Sequence, residues 1–367
     1  MRKRAATVVL LAALTSAPSA FAQSSHAQQI AEANALTDAG KFDDAIAKLQ
    51  QVLTDDPADK TARYELGLAY GDKGDTKQCL ATLEPIGNAA GPMQVAALTM
   101  IANCLDTAHD GKAAIATYRR ALAIDRNDPE VAFNLGIALA RNGGPYDEAR
   151  ELLKKHAIAD PDHASGHYAL AKVFEGMNFP IPALFSYLHF LALEPTGSRA
   201  ADAAARVRLL MDAGVQKTAK GANITIDPTA STAEGDYSAM AMILPITAAS
   251  RGFKEKAKLS EFEQIREQLK TDVLLLSEAG KQTDYTATVN ARFFEEMKKA
   301  KALDGFAAAA LLTQKLPGTQ EWSVAHEAEV NAFLEWRRSH VRAAGVMMPA
   351  APVPAAPAPA PAPTPAP

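Results

Sequence analysis

The sequence has few cysteines, few aromatic residues and no excess of basic charge, and each shortage excludes a class of protein. Two cysteines in 367 residues are too few for a disulfide-framework fold or a four-thiolate zinc site. A formal net charge of −4 lacks the concentrated basic surface with which proteins hold nucleic acid. Because the sequence also has no glycine-rich phosphate loop and no nucleophile motif, we expect no cofactor, no metal site and no catalytic residues.

Long apolar runs are also missing, and the apolar stretch near the N-terminus is too short to cross a bilayer. Arg2, Lys3 and Arg4 precede the apolar residues 8–14, and an A-x-A site ends at Ala22. This order is typical of a secretory signal peptide, whereas a membrane-spanning helix needs about 20 apolar residues. We therefore predict that residues 1–22 are removed, and that the mature chain, with a net charge of −7, is periplasmic or secreted.

Small residues return at an almost constant spacing through the first half of the chain. One series is separated by 34, 35, 34 and 35 residues and consists of Ala33, Gly67, Ala102, Gly136 and Ala171. A second series follows about twelve residues behind it and consists of Ala45, Cys79, Ala114, Ala149 and Ala183. Acidic-proline pairs close three of the units, at 56–57, 160–161 and 194–195. A period of this length predicts stacked repeats that share one core.

This pattern resembles the tetratricopeptide repeat family, in which two antiparallel helices cross closely at small residues. The resemblance covers residues 26–214 and implies an all-α solenoid of five helix pairs. The pairs are 26–59, 60–94, 95–128, 129–163 and 164–197. A capping helix from Ser198 to Ala213, ending at Gly214, would then cover the open end of the stack.

The resemblance also implies a binding site, because family members typically bind extended or helical peptides on the concave face of the repeats. Asparagine side chains on the first helix of each pair hold the peptide, with lysine or arginine nearby. The matching residues here are Asn34, Asn103, Asn134, Arg141 and Lys172. Thr99, Ser165 and Ala169 stand where a clamp for a terminal carboxylate needs cations. The alternative is that the asparagines are solvated residues of an empty groove.

The charge of the repeats indicates what kind of partner would fit them. Residues 26–214 contain 18 basic and 25 acidic residues. Such an excess of negative charge favours a neutral or basic partner and binding that weakens with salt.

The two cysteines lie on opposite sides of one predicted turn. Cys79 precedes Gly91-Pro92 by 12 residues and Cys104 follows it by 12, which places both at the same height of an antiparallel helix pair. An exported protein can keep a disulfide there. The alternative is that they are two small buried thiols on helix faces that never meet.

The second half of the chain shows no 34-residue period and matches no family. Residues 215–235 read as a linker, and residues 236–345 read as helical, with 15 acidic and 15 basic residues. Ser260 and Glu263 form the signature of a capping box at a helix start. These helices form either a separate domain of four or five helices or degenerate helices folded back on the solenoid. A further interpretation is that copies of the chain pair through these neutral helices. Residues 346–367, rich in proline and alanine, predict a disordered, extended tail.

Together these features predict an exported adaptor that binds another protein and performs no chemistry, in an envelope assembly or a secretion complex. The alternative is an enzyme whose active site lies in residues 236–345, with the repeats recruiting its substrate. That region has two histidines, no cysteine and no glycine-rich turn, so it offers little for catalysis.

Overall fold

The computed structural model describes residues 20–218, 221–225, 234–251, 258–278 and 284–340. The chain divides into two compact units, residues 1–104 and 105–367. Most of the predicted signal peptide, the middle of the predicted linker and the whole proline-rich tail lie outside the described residues. Among the described residues, no helix is both long enough and apolar enough to cross a membrane.

The first half of the chain consists of five consecutive helix pairs followed by one further helix, which confirms the predicted fold class. The pairs are α1 (Ala20–Asp38) with α2 (Phe42–Asp55), α3 (Lys60–Asp72) with α4 (Thr76–Gly87), α5 (Gln94–Thr107) with α6 (Gly111–Ile124), α7 (Pro129–Arg141) with α8 (Tyr146–Ala159), and α9 (Ala164–Gly176) with α10 (Pro180–Leu193). The capping helix is α11 (Ser198–Met211).

Aspartates that recur in the turns start many of these helices. In each case a carboxylate oxygen accepts a hydrogen bond from a backbone N–H of the first turn, which has no partner within the helix. The aspartates are Asp59 before α3, Asp75 before α4, Asp110 before α6 and Asp128 before α7. The repeated acidic residues of the turns are therefore part of the scaffold.

Small residues stand where the two helices of a pair cross. In the first unit, a Cβ atom on Gly67 would lie 2.4 Å from Cγ of Leu83, whose side chain is fully buried. In the second unit, a Cβ on Gly136 would lie 2.7 Å from Cγ of Leu153. These distances are shorter than any van der Waals contact, so glycine is what allows the helices to approach.

A disulfide joins the second helix pair to the third. Cys79 on α4 and Cys104 on α5 are bonded, their Cα atoms are 6.7 Å apart, and both side chains are buried. Both belong to the first unit, so this bond closes a loop of 25 residues within it.

The second half begins with a two-stranded antiparallel hairpin, β1 (Val215–Thr218) with β2 (Gly221–Ile224), in which Val215 lies opposite Ile224. The helices that follow are α12 (Ser238–Ser250), α13 (Glu261–Glu278), a π-helical segment (Thr286–Ala291) that continues into α14 (Arg292–Lys299), α15 (Leu303–Leu311), α16 (Thr319–Ala325) and α17 (Glu327–His340). The predicted capping box is confirmed: the Ser260 N–H donates to Glu263, and the Glu263 N–H donates to the Ser260 hydroxyl.

These later helices pack on the last helix pair. Every residue from Ile181 to Leu193 of α10 is buried, because the π-helical segment, α15 and α17 cover the side that α9 and α11 leave open. Arg337 of α17 donates two hydrogen bonds, of 2.7 and 3.0 Å, to the carbonyl oxygen of Leu193. The last repeat and the later helices therefore share one core.

The helix crossing makes a testable prediction about Gly67. Alanine at an open helix position stabilises by about 1 kcal/mol relative to glycine, but at Gly67 its methyl group would overlap the buried Leu83. We expect Gly67→Ala to lower the free energy of unfolding by about 1–3 kcal/mol, measured by urea denaturation. Gly91→Ala is the control, since no atom lies within 4 Å of its added Cβ. Equal stability of the two variants would refute the account of the crossing.

Candidate functional site

The predicted site residues lie on the first helices of the pairs, together with carboxylates that the sequence reasoning did not select. We call these side chains the first-helix surface of each unit. In the first unit it consists of Asn34, Asp38, Glu65, Asp72 and Asn103, and in the second unit of Asn134, Arg141 and Lys172.

In the first unit, the surface is acidic around Asn34. The Asn34 amide nitrogen, in the orientation that its neighbours require, donates to Glu65 Oε2 at 3.2 Å and to the carbonyl of Ile30. Partial burial, with the nearby charge of Asp38, raises the pKa of Glu65 above its usual value despite the bond from Asn34. Burial and Asp38 raise the pKa of Asp72 in the same way. This part of the surface is therefore suited to a cation from a partner.

Asn103, on α5, has a different environment. It is half-buried, and its amide nitrogen approaches the sulfur of Met100 at 3.8 Å, which is a weak interaction because thioether sulfur is a poor acceptor.

In the second unit, Asn134 and Arg141 both lie on α7, and the structure pairs Arg141 with a carboxylate. Asn134 is half-buried. Arg141 forms an ion pair with Asp106, and the two side chains are 15% and 13% exposed. The guanidinium thus already has a carboxylate partner within the chain.

Lys172 is likewise engaged within the chain. Its ammonium lies 2.7 Å from a carboxylate oxygen of Asp202 on the capping helix, and the Tyr168 hydroxyl donates to the same carboxylate at 2.8 Å. Burial alone would raise the pKa of Asp202, but these two hydrogen bonds outweigh burial and lower it. Arg206 and Glu175 add a second ion pair, of 2.8 Å, between α11 and α9. Lys172 therefore attaches the capping helix to the last repeat.

The structure thus separates the five predicted residues into two groups. The asparagines keep part of their surface in solvent, whereas the two cations are paired internally. Sequence reasoning missed the partners Asp106 and Asp202 because both are separated from their cations by 30 residues or more. It missed Asp38, Glu65 and Asp72 because it followed the amides of the family pattern.

A surface depression lies between the two helices of the first pair. It is lined by Gln28, Gln29, Glu32, Leu36, Asp44, Ala47, Lys48 and Gln51. Its lining combines charged and amide groups with apolar side chains.

One group of side chains has the composition of a metal site. Ligand atoms of His26, Asp56 and Asp59 lie within 4.8 Å of one another. Asp56 and Asp59 each accept a backbone hydrogen bond in the turn, as Asp125 and Asp128 do in a later turn. The turn therefore accounts for these carboxylates without an ion.

Among the described residues of the second half, Asp272 has the carboxyl group whose pKa is shifted furthest from its usual value. Burial raises its pKa to about 8, and the Thr247 hydroxyl donates to it at 3.1 Å. The side chain is fully buried, so a substrate has no access to it. This carboxyl does not support an active site.

The fold and this surface define a helical-repeat protein. Residues 33–74 match a TPR repeat model, and residues 107–173 match a tetratricopeptide repeat model. The helix pairs within these two segments therefore match tetratricopeptide repeats, and such repeats support a role as a protein-interaction adaptor. No curated protein sequence matches the chain.

Several solved structures are similar to the repeat region. YrrB, described as a TPR protein with an unusual peptide-binding site, is 25% identical over 52% of this chain and 100% of its own, with a TM-score of 0.40. MamA is 22% identical over 44% of this chain and 94% of its own, with a TM-score of 0.39. PilF of Pseudomonas aeruginosa is 15% identical over 52% of this chain and 85% of its own, with a TM-score of 0.47.

The role of Lys172 gives the next prediction. Lys172→Met leaves the Asp202 carboxylate without its closest cation, and we expect a loss of about 1–3 kcal/mol in the free energy of unfolding. A double-mutant cycle with Asp202→Asn isolates the pair, and we expect the two changes to be clearly non-additive. Strictly additive effects would show that the ion pair does not attach the capping helix.

Proposed function

We propose that this protein is a non-catalytic adaptor that works outside the cytoplasm, in an envelope assembly or a secretion complex. It binds an extended or helical segment of a partner protein along the first-helix surface. The tetratricopeptide repeats carry this proposal, because each pair presents its first helix with polar side chains that are only partly buried.

The asparagines serve the backbone of the bound segment. An amide side chain donates and accepts hydrogen bonds at once, as a peptide bond does. Asn103 and Asn134 are both half-buried, so they can be held in place by their helices and still reach a ligand.

The carboxylates of the first unit favour a basic partner. No ion pair of Asp38, Glu65 or Asp72 is found among the described residues, and burial with mutual repulsion raises the pKa of the last two. A lysine or arginine placed among them would relieve the repulsion. Binding should therefore weaken with salt, since part of the surface is open to solvent.

The test is crosslinking and pull-down from intact cells with the wild type and with Asn103→Ala plus Asn134→Ala. Each lost hydrogen bond costs about 1 kcal/mol, so we expect the double variant to recover at least fivefold less of the partner. Recovery by the wild type should also fall when sodium chloride is raised from about 50 to about 300 mM.

A matched control keeps this test specific. Gln51→Ala plus Gln78→Ala also removes two amides, from exposed positions on the second helices α2 and α4. We expect it to recover as much partner as the wild type. Unchanged recovery by the asparagine variant, or equal loss in both variants, would overturn the assignment of the surface.

The location outside the cytoplasm rests on the signal-like residues 1–22 and on the Cys79–Cys104 bond, which suits an oxidising compartment. We expect the chain isolated from the periplasm or the medium to begin near Gln23 on N-terminal sequencing. It should migrate faster without reductant than with it. A chain that keeps Met1 and stays in the cytoplasmic fraction would contradict the proposal.

A further inference from the structure

Two fully buried histidines lie between the last repeat and the later helices. His167 is on α9 and His189 is on α10, and their rings stack with centroids 3.6 Å apart. The other face of His189 is covered by Phe293 of α14, also at 3.6 Å. The two imidazoles are therefore enclosed by both parts of the second unit.

The hydrogen bonds of His167 indicate the tautomer of its neutral ring. Its Nε2 lies 2.8 Å from the carbonyl oxygen of Pro161, which can only accept, so Nε2 carries the proton. Its Nδ1 lies 2.9 Å from the hydroxyl of Tyr285, and in the neutral ring this nitrogen accepts. A second proton on Nδ1 would turn that acceptor into a donor facing the hydroxyl group.

His189 is even less able to take a proton where it lies. Its Nδ1 lies 2.9 Å from the amide oxygen of Asn290, so Nδ1 donates. Its Nε2 is buried and has no hydrogen-bond partner among the described residues. A proton there would create a buried cation stacked on the ring of His167, which is strongly unfavourable.

The surrounding titratable groups add little compensation. His156 of α8 and His163 of the following turn face His167 and are themselves in contact, with Nε2 and Nδ1 2.6 Å apart. His340 of α17 faces His189, and Arg199 of α11 faces His163. Asp160 is the carboxylate that faces this group and would favour its protonation. One carboxylate among several bases cannot offset the burial of two adjacent cations.

We propose that His167 and His189 form a pH-sensitive latch, which holds the later helices on the last repeat at neutral pH and releases them on acidification. The latch joins two parts of the chain. The histidines come from the repeat, whereas Tyr285 directly precedes the π-helical segment, Asn290 lies within it and Phe293 lies on α14. Release would uncover the apolar face of α10, including Phe185, which lies against Phe294.

The direction of the pH effect follows from the two protonation states. Burial is the largest cause of the shift in both rings. It lowers the pKa of His167 to about 4 and that of His189 well below its usual value. Once released into water, both rings return to about 6.5. Between these values the released state binds two protons that the docked state does not, so docking weakens as the pH falls. The equilibrium constant for release of the later helices should rise by up to about 100-fold for each pH unit below about 6.5.

The experiment is hydrogen exchange with mass spectrometry on the whole protein between about pH 8 and pH 5, corrected for intrinsic exchange rates. As the pH falls, we expect the opening constants of α10 and of residues 286–299 to rise in parallel. Their slope against pH should correspond to two protons bound on opening. The amides of α2, in the other unit, should keep a constant protection.

Two variants isolate the latch. His189→Phe keeps a ring between His167 and Phe293 but removes one titrating group, so the slope should fall from two protons to one. His109→Asn is the control, because His109 is exposed and has a positive φ that asparagine tolerates. It should leave the slope at two.

The proposal fails if His189→Phe keeps the wild-type slope, or if α10 and α2 gain exchange equally. Should His189→Phe not fold, NMR titration of the imidazole nitrogens in the wild type decides the question. Rings that remain neutral until the α10 amides lose protection support the latch. Rings that become charged near pH 6.5 while α10 stays protected overturn it.

Discussion

The close approach of two helices at small residues is the constraint on which the rest of the structure depends. Gly67 against Leu83, and Gly136 against Leu153, leave no space for one methyl group. The first helix of each pair still presents polar side chains that are only partly buried. The spacing of small residues in the sequence thus sets both the stability of the repeats and the position of the proposed binding surface.

The ends of the repeat array are closed in different ways. The first pair has a surface depression lined by residues such as Gln28 and Gln51. The last pair is covered instead, by the capping helix through Lys172 and Asp202 and by the later helices around α10. Of the two cations that the family pattern assigns to a ligand, Lys172 attaches the capping helix and Arg141 is paired with Asp106. The proposed recognition therefore relies on the acidic and amide side chains.

The repeats could be predicted from the sequence because their rules are local. The spacing of small residues and the aspartates of the turns specify each helix pair within about 34 residues. The placement of the later helices could not be predicted, since it depends on contacts between residues more than 100 positions apart, such as His189 with Asn290. One signal was nevertheless present: residues 181–193 are apolar on almost every side, and a helix of that kind is buried on every side.

Site-specific photo-crosslinking in intact cells tests the central claim most directly, because it reports which face of a helix pair touches the partner. A photoreactive residue at Leu68, half-buried on α3, is compared with one at Lys77, exposed on α4 of the same pair. The account predicts a crosslinked partner from position 68 and none from position 77. Adducts from position 77 alone, or equally from both, would contradict a binding surface formed by the first helices.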